Sequence, residues 1–279
     1  MLQTFHGYPA KSMGIRMWRA KNFTPRRIEL ELDRTSRDWD LILTPAPEMD
    51  QYYRTEYAYD GPILSHGYPR DDLLLSDQAP AVRERTRRLL QIDDHQTVVL
   101  YAPTWRDDLA TSYSSSPLVG HLDLETSSKA LGDDFVLLMR GHRFHPGQRR
   151  PAEKARLIDV TEYPEINDLI LAADVAVLDY SSLRFDFALT ERPMLFLVPD
   201  LDRYAGDARG FLYPFEDSAP GPLVQHADRV VELLRDLDGV REEYRAAYER
   251  FNQTYNYLQD GRSAEHVVAA FFGPADPAS

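Results

Sequence analysis

Short apolar runs recur along the chain, each cut off by a cluster rich in polar residues, proline or glycine. Thr97–Tyr101, Phe135–Met139, Leu157–Val160, Val175–Leu178 and Met194–Val198 are apolar mostly at consecutive rather than alternate positions. Runs of that length predict strands buried on both faces, as in a parallel sheet. Helical patterns are expected over 76–91, where Pro80 stands early, over 166–173, and again over 225–238, 240–258 and 261–272. The alternation across 76–260 predicts an α/β domain with helices on both faces of its sheet. The first part of the chain has the same grain. Leu2 to Phe5 looks like the tail of a strand, Leu41–Leu43 is a short run stopped by Pro45, a helix is expected around 49–57, and Ile63 and Leu64 make a brief strand.

Chemistry collects where the strands end. Val175–Leu178 runs into Asp179-Tyr180-Ser181-Ser182, followed by a helical pattern. Two readings apply there. Backbone N–H groups and hydroxyls at a helix start form a phosphate site, and a serine at that place also serves as a plain N-cap. The run 97–101 leads to Thr104 and Arg106, and 135–139 leads to Arg140 and His142. In a doubly wound sheet such ends converge on one crevice, where Arg, His and helix-start donors suit a diphosphate. Near the N-terminus, His6-Gly7-Tyr8-Pro9 follows a strand end with Lys11 just beyond, and Gly67-Tyr68-Pro69-Arg70 offers another cation in a turn. The long loop 199–222, which carries Arg209, is of a length that usually bears function. Neither Gly-x-x-x-x-Gly-Lys-Ser/Thr nor Gly-x-Gly-x-x-Gly occurs, which speaks against a P-loop NTPase and against NAD binding. His142 and His145 have a helical ligand spacing, but Gly141 and Pro146 disfavour a helix there, so no metal site is expected.

Composition narrows this picture. A chain of 279 residues with 43% hydrophobic and 28% charged residues suits a globular protein with a sizeable core. The absence of cysteine excludes disulfides and thiolate metal sites and fits a cytoplasmic setting. A net charge of −13 argues against nucleic-acid binding. The charge is uneven, however: residues 1–28 hold Lys11, Arg16, Arg19, Lys21, Arg26 and Arg27 and no acid. With Met13, Ile15, Met17, Trp18 and Phe23 interleaved, the segment reads either as a contact with an anionic surface such as phospholipid or as a solvated face whose apolar members reach a core.

Taken together, several segments resemble the CDP-glycerol glycerophosphotransferase family, which comprises teichoic-acid primases and polymerases and relatives in capsule synthesis. They are Tyr-Ala-Pro-Thr-Trp-Arg-Asp at 101–107, Asp-Tyr-Ser-Ser with Phe-Asp-Phe at 179–187, and Arg-Gly-Phe at 209–211 ahead of Pro-Gly-Pro at 220–222. Phe5-His6-Gly7-Tyr8-Pro9-Ala10-Lys11 is similar to the family's His-Gly-Thr-Pro-Leu-Lys segment, and 67–72 to its Gly-x-Pro-Arg-Asn-Asp. Asp260-Gly261-Arg262-Ser263-Ala264 matches the family's C-terminal segment loosely. Tyr8, Ala10 and Asp71 depart from the pattern, standing where the family has Thr, Leu and Asn.

The resemblance implies an α/β fold of two Rossmann-like domains of GT-B type. On that reading residues 1–75 are the remnant of an acceptor-side domain, 76–258 the nucleotide-donor domain, and 259–279 a helix and tail. Residues 1–75 amount to about half a typical domain, so the first N-terminal strands are expected to be missing and the chain to be a fragment or a degenerate copy. The implied activity is transfer of glycerol or ribitol phosphate from CDP-glycerol or CDP-ribitol to a lipid-linked polyol-phosphate or glycan acceptor, releasing CMP without a metal or other cofactor. It implies His6 as general base and His142 as the second essential histidine at the leaving group. Thr104, Arg106, Arg140, Asp179, Ser181, Ser182 and Arg209 would line the donor, and Lys11 and Arg70 would meet acceptor or phosphate. The expected location is cytoplasmic, peripheral on the inner face of the membrane. A nucleotide-sugar glycosyltransferase and a non-catalytic donor-binding module are the alternatives.

Overall fold

The structure is a computed structural model, and it describes residues 1–104, 121–141, 156–208 and 210–273. Strand β1 (Leu2–Gln3) leads through the turn at His6 to helices α1 (Gly14–Ala20) and α2 (Pro25–Asp38). Then come β2 (Leu41–Thr44), α3 (Asp50–Tyr57), β3 (Ile63–Ser65) and α4 (Asp72–Leu75). The second part runs α5 (Ala79–Leu89), β4 (Thr97–Ala102), α6 (Leu124–Leu131), β5 (Phe135–Met139), β6 (Leu157–Asp159), α7 (Ile166–Ala172) and β7 (Val175–Leu178). It continues with α8 (Leu183–Ala188), β8 (Met194–Leu197), α9 (Leu201–Arg203), β9 (Leu223–Val224), α10 (Ala227–Leu234), α11 (Leu237–Tyr255) and α12 (Ser263–Phe272).

Among the described residues the strands form two parallel sheets, a small one in the order β1-β2-β3 and a large one in the order β6-β5-β4-β7-β8-β9. The large order is that of a doubly wound sheet, whose winding direction reverses between β4 and β7. Its strands are apolar at consecutive positions because both faces are covered. Val98, Leu100, Leu138, Ala176 and Leu178 face one core, with Leu169, Phe185 and Phe251. Val99, Tyr101, Leu137, Val175 and Val177 face the other, with Leu131, Val230 and Leu234. The first core also takes in Tyr8, Ala10, Ile42, Leu43 and Tyr53, so the small sheet shares the large sheet's hydrophobic cluster.

Two local features differ from the sequence pattern, and a third bears on an alternative it left open. The segment before Ser76 is helical: α4 starts at Asp72, whose carboxylate also accepts the N–H groups of Ser263 and Ala264 at 2.9 and 2.8 Å and so caps α12. The expected helix at 240–258 begins earlier, because Asp236 accepts the Gly239 N–H at 3.1 Å and restarts the helix after α10. In the basic N-terminal segment Trp18 is buried edge-on against Tyr57, Arg19, Lys21, Arg26 and Arg27 are exposed, and Arg16 reaches Glu56 and the Phe211 carbonyl. The solvated face is therefore cationic, and its largest apolar residue belongs to the core.

Candidate functional site

In a doubly wound sheet the ligand crevice lies beyond the carboxyl ends of the strands that flank the reversal, here β4 and β7. Thr104 follows β4 and Asp179 follows β7. They close on each other: the Thr104 N–H donates to both Asp179 carboxylate oxygens at 2.9 Å, and the Thr104 hydroxyl donates to Oδ1. Asp179 is buried at this junction. Lys11 brings its ammonium to the same rim, 3.5 Å from Thr104 Oγ1 and 5.8 Å from the centre of the Tyr204 ring.

Lys11 is carried there by its backbone. Residues 10–12 run antiparallel to 210–212, with Ser12 N–H donating to Gly210 O at 3.1 Å and Leu212 N–H to Ala10 O at 3.0 Å. Tyr8 anchors the preceding turn. Its ring stacks on Phe185 of α8 at 4.1 Å and 6°, and its buried hydroxyl donates to Asn256 Oδ1 at 2.9 Å. Burial, reinforced by the charges of Asp71 and Asp186, holds the Tyr8 phenol well above its ordinary pKa, so it acts as a neutral donor.

This docking sets the exposed His6 beside the turn after β7. A Cβ built on Gly7 would come within 3.1 Å of Ser182 Oγ, tighter than ordinary contact, so the His6-Gly7 turn lies directly against the Ser182 side chain. Ser181 Oγ accepts the Leu183 N–H at 3.2 Å at the start of α8, whereas Ser182 makes no side-chain cap bond. The N-cap reading thus fits Ser181, and Ser182 faces the histidine turn. Behind this turn lies Arg184, fully buried. Its Nη1 donates to Ser181 O at 2.9 Å, Nε to Ser218 O at 2.7 Å and Nη2 to Ser218 Oγ at 2.9 Å. Burial pushes the Arg184 guanidinium pKa down.

The other expected residues are placed differently. Arg70 approaches the His6 turn from behind, with its Nη1 donating to the His6 carbonyl at 2.5 Å and its Nη2 to Asp186 Oδ1 at 2.5 Å. Arg140 turns to the far side of β5 and donates through Nη1 to the carbonyls of Val160, at 2.7 Å, and Tyr163. Arg106, His142 and Arg209 lie outside the described residues.

Two groups at the site carried no assigned role in the sequence. Asp200 accepts from the Tyr180 hydroxyl at 2.8 Å and stands 3.6 Å from His121 Nε2, which brings a histidine to the edge of the loop after β8. Asp186 is a buried carboxyl between Phe185 and Phe187, and that acid flanked by two core phenylalanines was the available signal. The rim thus pairs an ammonium, hydroxyls and main-chain donors, which suit a phosphate, with a histidine held by its own backbone.

Comparison with known proteins bears on the family and the fold. Residues 1–273 match the family described as CDP-glycerol:poly(glycerophosphate) glycerophosphotransferase. The chain is 32% identical to the teichoic acid glycerol-phosphate transferase of Staphylococcus aureus, covering 97% of this chain and 70% of that protein. It is 31% identical to the teichoic acid poly(glycerol phosphate) polymerase of Bacillus subtilis, of which it spans only 37%. A histidine-to-asparagine variant of the wall teichoic acid polymerase TagF superposes with a TM-score of 0.84 at 29% identity, over 95% of this chain and 66% of that one. The same variant soaked with CDPG superposes with a TM-score of 0.82.

Proposed function

The chain belongs to the CDP-glycerol:poly(glycerophosphate) glycerophosphotransferase family, and from that membership we propose that it transfers glycerol phosphate, or ribitol phosphate, from a CDP-polyol to a hydroxyl of a lipid-linked polyol-phosphate or glycan acceptor. The observation that carries this reading is the approach of the His6-Gly7 turn to Ser182 at the reversal of the large sheet. A proton acceptor beside a phosphate-binding rim is what attack on a diphosphate requires. The acceptor oxygen forms a bond to the phosphorus that bears the polyol, and the bridging P–O bond breaks. CMP departs with the electron pair, and His6 takes the acceptor's proton.

In this reading Lys11, Thr104, Ser181 and Ser182 hold the donor phosphates, and Asp179 fixes Thr104. Arg106, His142 and Arg209 are assigned to the donor side by family resemblance, whereas Arg140, engaged by the carbonyls of Val160 and Tyr163, is left out of it. His142 would steady the leaving CMP. Residues 1–75 form the acceptor side of a GT-B-type pair of domains, 76–258 bind the nucleotide, and 259–279 carry the C-terminal helix α12. The outward cations of residues 16–27 suit peripheral contact with the anionic inner face of the membrane, where a lipid-linked acceptor would lie.

Binding and chemistry separate by mutation. CDP-glycerol at about a hundred times its Kd should stabilise the protein by about 2.7 kcal/mol, and UDP-sugars should not. His6→Ala should keep that thermal shift while losing about 10²–10⁴-fold in turnover, and His142→Ala should weaken the shift as well. Full turnover by His6→Ala would refute the assignment of the base.

A further inference from the structure

Arg70 divides its guanidinium among three chain segments. Nη1 donates to the His6 carbonyl at 2.5 Å, Nη2 to Asp186 Oδ1 at 2.5 Å, and Nε faces Asp71 Oδ1 at 3.5 Å. The Arg70 backbone is held in turn, since Asn167 Nδ2 donates to its carbonyl at 2.5 Å. Tyr68, two residues earlier, donates from its hydroxyl to Gly7 O at 3.2 Å. The segment after β3 therefore grips both carbonyls of the His6-Gly7 turn. Through Asp186 it ties that turn to α8, four residues beyond Ser182.

With both carboxyls ionised, the charges of this grip do not balance. Asp71 is 1% exposed and Asp186 is 6% exposed, and the two carboxyls lie within hydrogen-bonding reach of each other with one guanidinium between them. The groups facing Asp71 are Arg70 and Asp72 on its own segment, Tyr68 beside it, Tyr8 from the first turn, Asp186 from α8, and Gln259 from the α11–α12 turn. The tyrosines are held neutral, Asp72 is engaged by α12, and Gln259 donates to Asp71 Oδ2 at 3.2 Å. Asp71 Oδ1 has no hydrogen-bond partner of its own. A proton on one carboxyl makes the trio neutral and supplies the missing bond between the two acids. A buried pair of carboxylates without that proton repels.

We propose that Arg70, Asp71 and Asp186 form a proton-holding latch: one proton shared by the two acids keeps Arg70 on the His6 carbonyl and so positions the histidine against the Ser182 turn. The three are positioning residues, acting through His6, and their effect on turnover rests on the transferase reading above. Burial first, and the neighbouring Asp186 second, push the Asp71 carboxyl up to about 8, which places loss of the shared proton just above neutral pH. A carboxamide has the shape of a protonated carboxyl and keeps a donor at every pH. Asp71→Asn therefore fixes the latch in its closed form.

The test uses the full chain as wild type, Asp71→Asn and Arg70→Lys, with two readouts across pH 4 to 9.5. The first is thermal unfolding and needs no substrate. An acid that gains a raised pKa on folding stabilises fully only below its unfolded value, and that stability is lost as pH rises to the folded value. The melting temperature of Asp71→Asn should accordingly rise above wild type by several degrees between pH 4 and pH 8, and the gap should then level off. The second readout is CMP release. Wild-type kcat should fall above pH 8 while Asp71→Asn holds its rate. Arg70→Lys should lose up to about 10²-fold in kcat with donor KM changed little.

A melting gap that does not grow with pH overturns the shared proton. Wild-type turnover matched by both variants at every pH overturns the positioning role. If wild type releases no CMP but the melting gap appears, the latch stands and the transferase reading falls.

Discussion

Lys11 Nζ lies 3.5 Å from Thr104 Oγ1, across 93 residues of sequence, and joins the first turn of the chain to the end of the central strand β4. Thr104 is itself fixed on Asp179, so the ammonium is aimed at the reversal point of the sheet rather than at bulk solvent. If the donor diphosphate lies there, Lys11→Met removes one charge-assisted hydrogen bond of about 1.5–3 kcal/mol. The Kd for CDP-glycerol should rise about ten- to a hundredfold in calorimetric titration, with the melting temperature of the unliganded protein little changed. An unchanged Kd would move Lys11 to the acceptor side.

Arg184 ties the Ser181-Ser182 turn to residue 218 through three donors spread across one planar group. Lysine keeps a positive charge but cannot reach both carbonyls and the hydroxyl at once. Arg184→Lys should cost about 2–4 kcal/mol, read by urea unfolding. It should also weaken donor-induced stabilisation, because the turn that presents Ser182 loses its support. Unaltered stability would mean that the fork contributes nothing.

Asp174 shows the opposite electrostatics to Asp71. Burial alone would raise its pKa, but the Val98 N–H at 2.8 Å, Arg83 at 2.5 Å and Arg87 at 3.1 Å outweigh it and hold the carboxyl below its usual value. A depressed folded pKa stabilises above the unfolded value of about 3.9, and that contribution is lost as pH falls through the lower, folded value. Asp174→Asn should cost about 2–3 kcal/mol at pH 7 and progressively less below pH 4. Parallel melting curves for variant and wild type down to pH 2 would contradict this.

The strands of the large sheet were legible because two covered faces force continuous apolar runs, as Val98 and Val99 facing opposite cores make plain. Strand β9, with two residues at the end of a long loop, left no such signature. The sequence brought the strand ends after 101 and 178 to one crevice, but it did not join Lys11 of the first turn to them, because that contact depends on how residues 10–12 pair with 210–212, which no local pattern encodes. Arg140 illustrates the converse: a cation at a strand end looks the same whether it faces the crevice or, as here, binds the carbonyls of a turn. Asp186 stood in the Phe-Asp-Phe segment with no role of its own. Only its burial against Arg70 and Asp71 distinguishes it from a solvated acid.

In the proposed reaction this chain, with the His6 turn held against Ser182, moves a polyol phosphate from a CDP donor. The most direct measurement is release of CMP from CDP-glycerol and from CDP-ribitol, with and without a lipid-linked polyol-phosphate acceptor. Acceptor-dependent CMP release is expected from one of the two donors, with matching growth of the acceptor by one polyol phosphate. Donor binding without CMP release from either, with the acceptor present, would contradict it.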